Sequence, residues 1–114
     1  MLRDERDYLL RMIAVAAAAV ARLRSRLLED SDAGDVVSDA RLAQRELLGR
    51  DAGLLLMLDA RSAAQMLRGD PRIEAWLDLL GVEADALRAA GRVQEADAVE
   101  SRRAAMKIIQ SATN

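Results

Sequence analysis

The sequence predicts an all-α fold, a single domain of about five or six helices, on three observations. An alanine-rich apolar run opens the chain. Apolar residues elsewhere recur at intervals of three and four, and Gly, Asp and Pro stand where helices would begin and end. With 114 residues and 52% hydrophobic content, the chain is long enough for one core and too apolar for a disordered polypeptide. Trp76 and Tyr8 are its only aromatic residues, so Leu, Ala, Val, Ile and Met must fill that core.

The first helix is predicted over about residues 4–28. Met12 to Ala21 are ten consecutive apolar residues with no Gly or Pro, and their alanine content favours helix over strand. Leu9, Ile13, Ala16, Val20, Leu23 and Leu27 step by four and three, which draws one apolar stripe. Tyr8, Met12, Val15 and Ala19 draw a second stripe beside it. Asp4, Glu5 and Asp7 at the start and Arg22, Arg24 and Arg26 at the end complement the helix dipole. So wide an apolar arc predicts that the rest of the chain, and a second copy of it, packs around this helix.

Residues 29–35, EDSDAGD, read as an acidic turn. A calcium loop fails on the spacing: Gly34 stands at the third ligand position, Asp35 at the glycine position and Arg41 at that of the closing glutamate. A second helix is predicted over about 36–48, capped by Asp35, with Val36, Ala40, Ala43 and Leu47 buried and Gly49 ending it. Two short helices follow. Asp51 caps one through Leu54, Leu55 and Leu58; Asp59 caps another through Ala63, Ala64 and Leu67, and Gly69 closes it. Asp70-Pro71 marks the clearest boundary, an N-cap followed by proline at the first helical position. The helix it opens carries Ile73, Trp76, Leu77, Leu80, Ala84 and Leu87 on one face and stops at Gly91. The last helix runs from about Arg92 to Gln110 with Val93, Ala96, Val99, Met106 and Ile109 apolar, and residues 111–114 are expected to fray. Short loops predict that consecutive helices are antiparallel neighbours.

The hairpin at about 71–110 includes a stretch, Leu80 to Arg103, that resembles one tetratricopeptide unit. Leu80, Ala84 and Leu87 match its large–small–large positions, Gly91 its turn, and Glu95-Ala96 the pair that opens its second helix. Glu100 replaces the motif's aromatic residue, Arg103 its alanine, and no proline closes the unit. One unit makes no solenoid, so no peptide-binding groove is implied. The chain as a whole resembles a small bacterial all-helical family. The resemblance rests on Asp7-Tyr8-Leu9-Leu10-Arg11-Met12-Ile13, on Leu47-Leu48-Gly49 with Leu54-Leu55-Leu56, and on the C-terminal hairpin. It implies the all-helical fold and no particular activity.

The composition excludes much chemistry. There is no cysteine and no histidine, which removes thiol chemistry, the commonest general base and the commonest transition-metal ligand. None of the serines has a histidine partner. Glu74 and Asp78 share a helix face, as do Asp4 and Tyr8, but they read as solvated surface rather than as acid/base pairs. No glycine-rich phosphate loop is present. Net charge is −2, and the Arg22, Arg24, Arg26 cluster has no interleaved aromatic residue and precedes the acidic turn, so it is read as pairing with that turn and not with nucleic acid. The apolar run is too short to span a membrane, and the acidic N-terminus does not fit a secretory leader, so a cytoplasmic location is expected.

The expected function is therefore non-catalytic: protein–protein contact and self-association, with no cofactor and no metal. A homodimer is expected through the N-terminal helix, with Tyr8, Met12, Val15 and Ala19 at the contact. The alternative is a binding module with a small apolar or peptide pocket near Trp76; the expected role of Trp76 is as the largest filler of the core.

Overall fold

In a computed structural model, described over residues 2–29 and 32–112, the fold is all-helical. It comprises α1 (Leu2–Leu28), α2 (Ala33–Leu48), a 3-10 turn (Gly49–Asp51), α3 (Ala52–Met57), α4 (Ala60–Met66), α5 (Arg72–Ala89) and α6 (Val93–Ala112). At 1.5 Å per residue, the 27 residues of α1 span roughly 40 Å, so this helix sets the 43 Å long dimension of the molecule. Trp76, Leu79 and Leu80 share one apolar cluster with residues of α1, α2, α3, α4 and α6. Val36, Val37, Leu23, Val82 and Leu87 form a second cluster, and Val20 and Val99 touch both.

The centre of the fold is α5, not α1. Ile73, Ala75, Trp76, Leu77, Leu79, Leu80, Val82, Ala84, Ala86 and Leu87 are all buried, which covers α5 nearly all round. It packs most extensively against α2 and α6, and then against α1. The single face read from the sequence omitted Ala75, Leu79, Val82 and Ala86, which are also buried. By contrast, among the described side chains of α1 only Ala16, Ala19 and Leu23 are buried, and α2 and α5, not the short middle helices, cover it. The alanines explain how so apolar a helix remains peripheral: Ala14, Ala17, Ala18 and Ala21 lie exposed, and a methyl group presents little apolar area to water. Chain order also predicts the packing incompletely. The α1–α2 and α5–α6 neighbours are in contact as expected, but α2 lies chiefly on α5, and α4 lies on α6.

Local chemistry sets the helix ends. Asp32, not Asp35, caps α2: its carboxylate accepts the Gly34 N–H at 2.9 Å, so the helix begins three residues earlier and Asp35 falls in the first turn, where its charge suits the dipole. Residues 30 and 31 of the acidic turn lie outside the described residues. Asp51 does not cap α3. It sits in helical conformation within the 3-10 turn, and its carboxylate faces Arg72 Nη2 at 3.5 Å. Asp59 does cap α4, accepting from Ser62 N at 2.9 Å. Asp70 accepts the Arg72 N–H at 2.8 Å ahead of α5, with Pro71 already helical at φ −65° and ψ −15°. After α5, Arg92 N donates to Leu87 O at 2.8 Å and Gly91 N to Arg88 O at 3.0 Å, a Schellman closure with Gly91 at φ +79°. Ser111 and Ala112, expected to fray, continue α6; residues 113 and 114 lie outside the described residues.

Arg72 ties this frame together. It holds Asp70 at 2.8 Å and donates to the Leu48 carbonyl at 3.2 Å, joining the end of α2 to the start of α5. Burial pushes the Asp70 carboxyl up, but the side-chain and backbone hydrogen bonds from Arg72 together outweigh it and hold the group below its ordinary value.

Two predictions follow from the ends of α5. Gly91→Val should lower stability by about 1 kcal/mol or more, because a β-branched residue is strained at positive φ; urea unfolding of both proteins measures it. The lowered proton affinity of Asp70 in the fold stabilises it at neutral pH, and that contribution is lost as pH falls from about 4, where the unfolded carboxyl protonates, through the lower folded value, below which the group is protonated in both states. The stability gap between wild type and Asp70→Asn should therefore be larger at neutral pH than in acid, as read from urea midpoints at both.

Candidate functional site

The surface feature that collects the sequence-predicted contact residues is a groove between α1 and α2. It encloses about 230 Å³ and is lined by Met12, Val15, Ala16 and Ala19 from α1 and by Leu42, Ala43 and Leu47 from α2. Arg22, Asp39 and Glu46 complete its lining with both signs of charge. Of the four residues predicted for self-association, Val15 is 52% exposed on the groove, Met12 is half-buried, and Ala19 is buried as part of the groove floor and the core. Tyr8, also 52% exposed, lies one to two turns away in an adjoining cleft bounded by Leu9, Leu47 and Arg72. The structure thus brings Met12, Val15 and Ala19 together and places Tyr8 beyond them along α1. Leu42, 54% exposed, lines the same groove and was not named by the helix 1 reading. Its signal was present: it lies outside the Val36, Ala40, Ala43, Leu47 line, where a leucine on an otherwise polar side of α2 has no role in the core.

Trp76 occupies a different place. It is fully buried and lines neither the α1/α2 groove nor the adjoining cleft at Tyr8. Its indole Nε1–H donates to Gln44 Oε1 at 3.0 Å. Gln44 Nε2 donates in turn to Glu83 Oε1 at 2.6 Å, and Arg41 Nε donates to Glu83 Oε2 at 3.0 Å. Gln44 and Glu83 are only 2% and 6% exposed. This relay carries a hydrogen-bonded line from the core to the surface, where Arg41 also approaches Glu95 at 3.9 Å. On the other side of the indole, the Arg102 guanidinium lies 5.6 Å from the ring centroid. It donates to the carbonyls of Leu58 and Leu55 at 2.6 and 2.9 Å, satisfying the end of α3. Burial pushes this guanidinium below its ordinary value, although an arginine remains charged.

Both relay residues carried a sequence signal. Trp76, Leu80, Glu83 and Leu87 step by four, three and four, which puts a carboxylate on the core line of α5. Ala40, Gln44 and Leu47 do the same with an amide on α2. A polar residue on an apolar line signals a buried partner, and these two are each other's.

The remaining sequence candidates are dispersed. Glu74 and Asp78 are exposed, and so are Asp4 and Tyr8. Arg24 pairs with Asp85 of α5 at 2.9 Å and Arg26 with Asp39 of α2, so these arginines brace helices rather than neutralise the acidic turn. Among the described residues no cluster of acidic side chains is disposed to hold a metal ion, and no helix is long and apolar enough to cross a membrane.

The relay makes Trp76 the position where truncation should cost most. Trp76→Ala should lose about 3–5 kcal/mol of stability. Trp76→Phe should also destabilise, because it leaves the buried Gln44 oxygen without its donor; denaturant midpoints of both variants measure this. Comparison with known proteins finds no matching family model, no matching curated protein and no matching solved structure.

Proposed function

We propose that the protein is a non-catalytic helical module that acts through protein–protein contact and pairs with a second copy of itself along the α1/α2 face. The observation that carries this reading is the groove of Met12, Val15 and Leu42, apolar on its floor and charged at Arg22, Asp39 and Glu46. Val15 and Leu42 are each more than half exposed there, beside half-buried Met12 and buried Leu47. Burying such residues against a matching patch removes apolar area from water at about 25 cal/mol per Å². A two-fold contact must be self-complementary, and a rim carrying both charge signs permits Arg22 of one copy to meet Asp39 or Glu46 of the other. The exposed alanines of α1 add little bulk and let two copies of the helix approach closely. In this reading the α5–α6 hairpin, tetratricopeptide-like in sequence, is a packing unit that supports α2 and α1 and not a peptide groove.

The test is sedimentation across micromolar concentrations. Wild type should approach twice its 12.4 kDa mass as concentration rises. Val15→Glu with Leu42→Glu alters two exposed positions, so the variant should keep wild-type helicity while remaining at the monomer mass. A wild type that stays monomeric throughout overturns the self-association, and a dimer that survives both glutamates moves the interface off this groove.

A further inference from the structure

On a different face of the molecule, α1, α5 and α6 meet around a cleft of about 470 Å³ whose lining is largely basic and small. Its floor is Gly81, a glycine in the interior of α5, where alanine would make the better helix. The surroundings give the glycine a reason. A Cβ at this position would stand 3.3 Å from Arg103 Nε and 3.4 Å from Arg24 Nη2. Two guanidinium groups, one from α6 and one from α1, therefore converge over the same point of α5, where a side chain would crowd Arg103 and touch Arg24. Lys107, one turn beyond Arg103 on α6 and the only lysine in the chain, lines the same cleft.

The ion-pair pattern leaves this convergence short of negative charge. Asp85 and Glu100 also line the cleft, but Asp85 is taken by Arg24 Nη1 at 2.9 Å and Glu100 by Arg88 at 2.9 Å. Arg103 spends its Nε on the Leu77 carbonyl at 2.8 Å, and neither Arg103 nor Lys107 forms an ion pair with a carboxylate among the described residues. Arg24 Nη2, the Arg103 guanidinium and the Lys107 ammonium thus face one cleft with donors to spare, and like charges held this close are stabilised by an anion between them.

The geometry points to an oxyanion site at this junction, built for the phosphate group of a small soluble molecule, with Arg24, Arg103 and Lys107 as its cationic donors and Gly81 as the floor that admits them. A tetrahedral oxyanion offers acceptors in several directions, which suits donors arriving from two helices better than a planar carboxylate does. Asp85 and Glu100 on the wall set the size of the ligand: they tolerate one oxyanion and repel an extended polyanion such as a nucleic-acid backbone. This site lies at the junction of α1, α5 and α6, shares no lining residue with the α1/α2 groove, and does not depend on self-association.

Titration with inorganic phosphate, followed by NMR of backbone amides and arginine Nε–H groups, tests it. Phosphate should shift the Arg103 Nε–H and the amides near Gly81 and Lys107 in a saturable way, whereas chloride at equal ionic strength should not. Lys107→Gln, which removes no hydrogen bond from the fold, should weaken binding by about fivefold or more. Gly81→Ala should weaken the saturable shift while leaving the helix intact, since its methyl group would stand 3.3 Å from Arg103 Nε and press that guanidinium outward. A parallel arm uses vesicles of phosphatidylcholine with phosphatidylglycerol; binding there without saturable binding of free phosphate overturns a soluble ligand. Shifts that chloride reproduces, or wild-type phosphate affinity in both variants, overturn the site itself.

Discussion

The packing of α2 on α5 depends on one buried polar relay. Gln44 sits between the Trp76 indole and the Glu83 carboxylate, and it uses its oxygen for the first and its amide nitrogen for the second. An apolar interface tolerates small slips of one helix along another, because leucine against leucine is nearly as good one notch away. A relay of directional bonds does not: sliding α2 by one residue leaves a buried indole N–H, an amide and a carboxylate unpaired at once, each costing about 1–3 kcal/mol. No buried side-chain polar atom among the described residues is left without a partner, which is the condition under which such a relay specifies a register rather than weakening the core. Because α5 is also the helix against which α1 and α6 pack, its register with α2 propagates to the rest of the fold.

Arginine does a second structural task that composition alone does not reveal. Helix C-termini expose carbonyls with no partner in their own helix. Arg72 meets the end of α2 at Leu48, and Arg102 meets the end of α3 at Leu55 and Leu58. Arg103 bonds a carbonyl within α5, at Leu77. The guanidinium suits this use because its planar fork reaches two acceptors while its aliphatic stem packs on apolar neighbours. The positions at which the sequence departs from the tetratricopeptide pattern fit the same scheme: Arg103 holds Leu77, and Glu100 pairs with Arg88 across the hairpin. Arg24 and Arg103, each with donors to spare, meet over Gly81.

The two surface features have different physical origins. The α1/α2 groove exists because the second stripe of α1 is only partly covered by its own chain: Ala19 turns into the core, Met12 is half covered, and Val15 remains outside. The cleft at Gly81 exists because a glycine opens a helix surface to two long cationic side chains. The first is an apolar surplus and the second a surplus of positive charge, and they share no lining residue.

Much of this was legible in the sequence. Helix content, the length of α1, the stop at Gly91, the caps at Asp59 and Asp70 and the burial of Trp76 all follow from local rules, since propensity, 3.6-residue periodicity and capping act within a few residues. Long-range partners decided the rest. The centrality of α5 required knowing that α2, α6 and α1 all lie against it, which no periodicity in α5 reports. Asp51 turned from cap to ion-pair partner because Arg72 lies near it in space, 21 residues later in the chain. Gln44 and Glu83 stood out as polar residues on apolar lines, but only the packing of α2 on α5 made them partners. Gly81 gave no local sign of its role in the interior of α5; only tertiary packing brings an arginine from α1 and one from α6 over it. Local sequence determined which segments are helices; tertiary contact decided which helix is central, which charges are paired and which surfaces remain uncovered, because those depend on distances between residues far apart in the chain.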